Sequence, residues 1–143
     1  MLLGTHRHIV DAKGRVVMPA RFRAALSGGV VATRGYDHCL FVFPKEVFER
    51  EHAHLDPRDR SNLENRDHAR AVFSGASEDS LDAQGRLPVP APLREYARLD
   101  RDVFVLGVGD HIEIWDAASW ARRQADLDEK YASTDTGRRE EGR

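Results

Sequence analysis

The stretch DAKGRVVMPARFR at residues 11–23 recurs, 71 residues later, as DAQGRLPVPAPLR at residues 82–94. The two stretches are identical at 7 of 13 positions. The similarity continues backwards at the same offset, where residues 2–4 (LLG) face residues 73–75 (FSG). It continues forwards after a slip of one residue, where LFVF at 40–43 faces IEIW at 112–115. The 143-residue chain therefore contains two copies of a unit of about 70 residues rather than one irregular domain.

Each copy carries the signals of a β-hairpin with an arginine after its turn. A strand-like stretch runs into an aspartate, two residues follow, and then come a glycine and the arginine, Arg15 or Arg86. Glycine tolerates positive φ, and the aspartate side chain accepts hydrogen bonds from backbone N–H groups two or three residues on. The pattern predicts a hairpin tip in each copy. The residues expected to shape the turns are Asp11, Gly14, Asp82 and Gly85.

The rest of each copy predicts a short helix, two strands and a closing helix. Pro19 and Pro90 are well placed to begin the short helices, at 20–26 and 91–99. The strands are expected at 30–33 and 39–43 in the first copy, and at 103–106 and 112–115 in the second, with closing helices at 44–54 and 116–131. Aromatic side chains recur at strand-to-helix junctions and are interpreted as core, with a subunit interface as the alternative: Phe43, Phe48, Trp115 and Trp120. The single cysteine, Cys39, is interpreted as a small buried apolar residue.

The predicted fold class is α+β, with two tandem units around one core. A lone two-stranded hairpin is marginal in water, so the units must pack together or interleave strands around a pseudo-two-fold axis. We expect a β-barrel-like core with peripheral helices, in which Arg15 and Arg86 are equivalent. The units are expected at 1–55 and 73–132, with a connecting helix at 56–72 and a disordered tail at 133–143. Pro88 removes a backbone donor and suggests an edge strand.

The net charge of −2 hides a split along the chain. Residues 1–34 hold six basic residues and one acidic residue, a net charge of +5, which leaves −7 for residues 35–143. Four of the six bases lie at the first turn or in the short helix after it. A local basic surface on an acidic protein is typical of a phosphate-binding site.

The repeated pattern resembles the bacterial MraZ family, which is similar to the AbrB-type, swapped-hairpin transcription factors. The resemblance covers about residues 1–131 in both copies. It implies a sequence-specific DNA-binding regulator of its own division and cell-wall gene cluster, and a ring-like homo-oligomer in the cytoplasm and nucleoid. It also implies that the Asp-x-x-x-Arg turns face DNA. One departure is the start, Met-Leu-Leu, where a phenylalanine is expected; Leu2 is a plausible smaller core residue.

Six basic residues are candidates for contact with double-stranded DNA carrying short direct repeats. Lys13 adds phosphate affinity that Gln84 at the equivalent position lacks, so the first tip is expected to bind more strongly. Ion pairing of the turn arginines is the alternative for Arg15 and Arg86, and a solvated helix face for Arg21 and Arg23. The full candidate set is Lys13, Arg15, Arg86, Arg21, Arg23 and Arg7.

Other classes of protein find less support in the sequence. No apolar run is long enough to cross a bilayer, and the start lacks the apolar core of a signal peptide, so we expect a soluble intracellular protein. His6 and His8 lack a third ligand at a telling spacing, so no metal or cofactor is expected. No catalytic motif points to an enzyme. The alternative left open is a ring-forming protein-interaction scaffold, or an antitoxin-like partner-binding module of the same fold.

Overall fold

The strands and helices follow the order of the two repeats in the computed structural model, which describes residues 1–56 and 58–134. The first repeat contains β1 (Leu2–Ile9), β2 (Arg15–Val17), β3 (Val30–Arg34), β4 (Leu40–Pro44), α1 (Lys45–Glu51) and α2 (Leu63–Gly75). The second contains β5 (Ser77–Asp79), β6 (Arg86–Pro88), α3 (Ala91–Tyr96), β7 (Asp102–Gly109), β8 (Ile112–Asp116) and α4 (Ala117–Ala132). The fold is α+β, as predicted. Most of the tail expected to be disordered, 135–143, lies outside the described residues.

The main sheet is antiparallel and mixes strands of both repeats in the order β1-β7-β8-β4-β3-β5. The first strand of each repeat pairs with the third strand of the other: β1 runs along β7 from Leu2–Gly109 to Ile9–Asp102, and β5 runs along β3. At the centre, β4 pairs with β8. The expected barrel-like closure is not found in the described part of the chain, because β1 and β5 remain at the two edges of an open sheet.

A two-stranded ribbon of β2 and β6 covers one face of this sheet. The ribbon pairs equivalent positions of the two repeats, with Val16 opposite Leu87 at its centre. Both side chains are buried in the main core with the inward residues of the sheet. In the ribbon β6 pairs with β2 alone, so Pro88 lies in an edge strand as predicted.

Helices α1, α2 and α4 cover the opposite face. Phe43 and Phe48 pack with their ring centroids 5.7 Å apart in one cluster, and Trp115 and Trp120 pack 5.2 Å apart in a second cluster that also holds Cys39. The prediction that these five residues are core is confirmed, and Leu2 is also buried.

The short helices differ from the predicted ones. In place of a helix over 20–26 the chain forms a single 3₁₀ turn, Ala20–Phe22, followed by further turns whose N–H groups bond three residues back. Phe22 and Leu26 are buried in the core, and Ala25 is exposed. Helix α3 ends at Tyr96, before the predicted 99, because Arg98 takes φ +56° and the Leu99 N–H bonds back to the Arg94 carbonyl at 2.9 Å.

Residues 2–4 and 73–75 match in sequence but not in structure. The former lie in β1, whereas the latter form the last turn of α2, which leaves β5 only three residues long. Asn62 caps the start of α2 by accepting from the Asn65 N–H at 3.2 Å, and Phe73 packs against Phe48 at the far end. Helix α2 thus begins at residue 63 rather than 56, and a ring contact favours the helical conformation at Phe73.

Candidate nucleic-acid interface

Residues 11–15, called tip 1, form a turn held by Asp11. One carboxylate oxygen, Oδ1, accepts from the backbone N–H groups of Lys13 and Arg15, both at 2.9 Å. The other, Oδ2, accepts from Arg15 Nε at 2.9 Å. The Arg15 backbone N–H is the main cause that lowers the pKa of the Asp11 carboxyl, which is therefore ionised at neutral pH. Gly14 takes φ +76°, as the sequence predicts for this position.

Residues 82–86, called tip 2, repeat this geometry with one addition. Asp82 Oδ1 accepts from the N–H groups of Gln84 (3.0 Å) and Arg86 (2.9 Å), and Oδ2 accepts from Arg86 Nε at 2.6 Å. In addition, Arg86 Nη2 donates to Gln84 Oε1 at 3.2 Å. Gln84 thus restrains Arg86, whereas among the described residues neither Nη group of Arg15 has a protein acceptor.

The ribbon places the two arginines on one outward face. Arg15 lies opposite Pro88, and Arg86 lies opposite Val17, two residues along the ribbon. Because side chains alternate across a strand and Val16 points into the core, these flanking positions point away from it. Two residues of strand span about 6.6 Å. The ion pairs formed by Arg15 and Arg86 lie within their own tips, so they orient both guanidinium groups while keeping them at the surface.

The remaining candidates are not all brought to this face. Lys13 is exposed in tip 1, and Arg21 is exposed in the 3₁₀ turn after the ribbon. Arg23 is partly buried, and its Nε donates to the Met18 carbonyl at 3.1 Å. Arg7 lies on the helix-covered side of the sheet, where its guanidinium is 5.5 Å from the Phe104 ring centroid and 3.8 Å from Asp102. The structure groups Lys13 with the turn arginines and separates Arg7 from them.

One residue of this region escaped the sequence interpretation. Arg94 in α3 lies against Gly14 of tip 1, just as Arg23 lies against Gly85 of tip 2. The signal that could have found it was present, since Arg94 matches Arg23 at the 71-residue offset of the repeat.

A second charged cluster surrounds His111 in the β7–β8 turn, on the far side of the sheet. His111 Nδ1 lies 2.9 Å from Asp110 Oδ1, and Nε2 lies 3.2 Å from Glu113 Oε2. The bond to Glu113 is the main cause that raises the pKa of His111. Burial acts to raise the pKa of the Glu113 carboxyl, but the bonds from His111 and Trp115 outweigh it and leave that pKa lowered. His111 also stacks on Phe43, so the cluster joins the two repeats.

We expect this cluster to make stability fall as the pH rises. A raised histidine pKa contributes stability that is complete below the ordinary value of 6.5 and disappears as the pH passes the raised value. Melting temperatures of the native protein and of His111→Gln, measured from pH 6 to 9, should therefore differ most at pH 6 and converge at pH 9. A gap that is constant with pH would contradict this. The pKa of His8 is lowered, so its contribution to stability changes with pH in the opposite direction. Because both proteins contain His8, its contribution cancels in the difference between their melting temperatures.

Metal-binding clusters and membrane-spanning helices were also sought in the described part of the chain. Within residues 1–56 and 58–134, no three histidine, cysteine, aspartate or glutamate side chains are grouped so as to hold a metal ion. None of the helices in this part of the chain is long and apolar enough to span a bilayer.

Comparison with known proteins identifies relatives over almost the whole chain. The sequence profile of the family described as "MraZ protein, putative antitoxin-like" matches twice, at residues 1–71 and 72–141. A protein of Micrococcus luteus named transcriptional regulator MraZ is 45% identical over 135 residues, which cover 94% of both chains. Proteins of the same name are 46% identical over 133 residues in a Nocardioides species (93% of this chain, 92% of the relative) and 44% identical over 133 residues in Desulfitobacterium hafniense (93% of both).

Proposed function

Because the chain belongs to the MraZ family, we propose that it is a transcriptional regulator that binds double-stranded DNA through tips 1 and 2. The observation that carries this proposal is the ribbon, which presents Arg15 and Arg86 on one outward face. Two outward-facing arginines beside an exposed lysine suit contact with the phosphates and base edges of DNA.

The binding mechanism follows from the chemistry of the tips. A two-stranded ribbon is narrow enough to enter the major groove, where an arginine guanidinium can bind guanine O6 and N7 together. Arg15 has both Nη groups available for such a pair, while its Nε remains on Asp11. The exposed Lys13 would contact phosphate, whereas Gln84 supplies no charge at the matching position of tip 2. Tip 1 therefore supplies more of the affinity.

We further propose that the regulator works as an oligomer on its own promoter. One subunit offers two small tips, which is too little contact for tight binding alone. A ring of subunits on short direct repeats would raise the effective concentration of each tip. The gene cluster controlled would be the division and cell-wall cluster that contains its own gene, and the protein would act in the cytoplasm, associated with the nucleoid. The two repeats are proposed to be AbrB-like swapped-hairpin units, which the strand exchange between repeats supports.

Footprinting on the DNA upstream of the chain's own gene tests this proposal. We expect short direct repeats to be protected. We also expect the affinity to fall steeply between about 50 and 200 mM salt, because lysine and arginine displace counterions from phosphate. A plot of log affinity against log salt concentration should have a slope of about −1 for each phosphate contact. Shuffled DNA of equal composition is the control. Equal protection of both DNAs would contradict sequence-specific binding. No protection of either DNA, with a protein partner co-purifying, would instead favour the scaffold or antitoxin-like alternative.

A further inference from the structure

Each tip is in contact with an arginine that belongs to the other repeat. A Cβ built on Gly14 of tip 1 would lie 2.9 Å from Arg94 Cζ, and one built on Gly85 of tip 2 would lie 2.5 Å from Arg23 Cζ. Real Cβ atoms essentially never show such distances, so with any other residue at these positions the guanidinium would have to move. The glycines thus serve two purposes, the positive φ of the turn and the room for an arginine from across the ribbon.

Both arginines are anchored where the ribbon joins the tips. Arg23 Nε donates to the Met18 carbonyl, and the Met18 N–H donates to the Gly85 carbonyl at 2.8 Å. The mirrored set has Arg94 Nη1 donating to the Val89 carbonyl, while the Val89 N–H donates to the Gly14 carbonyl at 2.9 Å. In each set, a residue just after β2 or β6 and an arginine of the same repeat both contact the tip of the other repeat.

Ion pairing does not account for these two side chains. In the described part of the chain, neither Arg23 nor Arg94 lies within 4.0 Å of a carboxylate. Both are partly buried, and a side chain held in one geometry loses rotamer freedom that its contacts must offset. The contacts observed are with the opposite tip and the ribbon carbonyls.

We propose that Arg23 and Arg94 are positioning residues, each of which holds the tip of the other repeat. The effect of these arginines on DNA binding rests on the proposed function. Their role in holding the tips does not depend on it. Since Arg94 backs tip 1 and Arg23 backs tip 2, the spacing between Arg15 and Arg86 is set jointly by both repeats. Arg23, a candidate for direct DNA contact, acts on DNA through Arg86.

Reciprocal variants of the ¹⁵N-labelled protein test the crossed assignment. In Arg94→Ala we expect the Gly14 and Arg15 amides to shift and to exchange with solvent about tenfold faster or more, with tip 2 within about twofold of the native protein. In Arg23→Ala the same changes should fall on Gly85 and Arg86. Arg122→Ala, which removes an exposed charge on α4, is the control and should change neither tip.

The outcomes distinguish the crossed roles of Arg23 and Arg94 from the proposed binding of DNA by the tips. Changes confined to each arginine's own repeat, changes of equal size in both tips, or no change would overturn the crossed roles. If Arg94→Ala does not fold, Arg94→Lys takes its place, since it keeps the aliphatic stem but not the planar guanidinium. A second arm measures binding to the upstream DNA, where Arg94→Ala should weaken binding more than Arg23→Ala because it loosens the stronger tip. Absence of specific binding by the native protein would refute the proposed function and leave the amide result standing.

Discussion

Replacing Arg15 with alanine is expected to lower affinity for the upstream DNA about 10- to 100-fold per binding unit, or about 1–3 kcal/mol, while leaving the protein folded. The loss is large because the variant removes the only turn arginine of tip 1, whose Nη groups have no acceptor within the described protein. Binding to several repeats multiplies such losses, so the effect on the assembled complex should be larger still. Titration of labelled promoter and shuffled DNA measures both affinity and specificity.

The fold should tolerate this change because Asp11 does not depend on the Arg15 side chain to hold the turn. Its Oδ1 still accepts from the backbone N–H groups of Lys13 and residue 15, which alanine keeps. Partly exposed ion pairs such as Arg15–Asp11 contribute little to stability. A melting temperature within a few degrees of the native value is therefore expected. If Arg15→Ala bound DNA as tightly as the native protein, Arg15 would not be part of the DNA-binding site. Arg122→Ala is the control for the loss of one positive charge.

Arg86 offers a matched comparison within the same molecule. It has the same bonds to its aspartate but is also restrained by Gln84, and its tip lacks the lysine of tip 1. Arg86→Ala should therefore weaken binding less than Arg15→Ala. The contrast between the two variants tests whether the asymmetry of the tips, and not merely the loss of one positive charge, sets the affinity.

The tips were predictable from the sequence because their structure is local. The hydrogen bonds within residues 11–15 depend on three residues of the turn: Asp11, Gly14 at the fourth position, and Arg15. The same pattern recurs at residues 82–86 and forms the same bonds there. The strands at Val30–Arg34 and Leu40–Pro44 were predictable for the same reason, since apolar β-formers flank a turn there.

Other features depend on contacts far apart in the chain. Arg7 lies away from the tips because the register of β1 against β7 pairs it with Phe104, and no local pattern defines that register. The contact between Arg94 and Gly14 joins residues that are 80 positions apart in the chain. The segment after Pro19 has helix-forming residues but is only seven residues long, and isolated helices of this length are unstable without packing. The chain there forms a 3₁₀ turn at Ala20–Phe22, and Phe22 and Leu26 are still buried.

Phe22→Ala is expected to have the largest effect on stability. The Phe22 side chain is 1% exposed in the main core, and its ring meets the His6 ring edge-on at 5.2 Å. Truncating a buried phenylalanine costs about 3–5 kcal/mol, through lost burial and the cavity left behind. For a chain of this size we expect the melting temperature to fall by about 10 °C or more. Leu63→Ala, at a side chain 58% exposed, is the control and should stay within a few degrees.

The variants Phe22→Ala and Arg15→Ala should behave in opposite ways, which makes them informative together. Phe22 packs in the main core between the ribbon and the sheet, and its buried ring is not among the side chains proposed to contact DNA. Well below its lowered melting temperature, Phe22→Ala should keep Arg15 in place and lose less DNA affinity than Arg15→Ala, which loses affinity but not stability. If Phe22→Ala instead abolished DNA binding while still folded, the tips would depend on core packing more than on their own hydrogen bonds. That result would contradict the prediction that the turns held by Asp11 and Asp82 keep their geometry in Phe22→Ala.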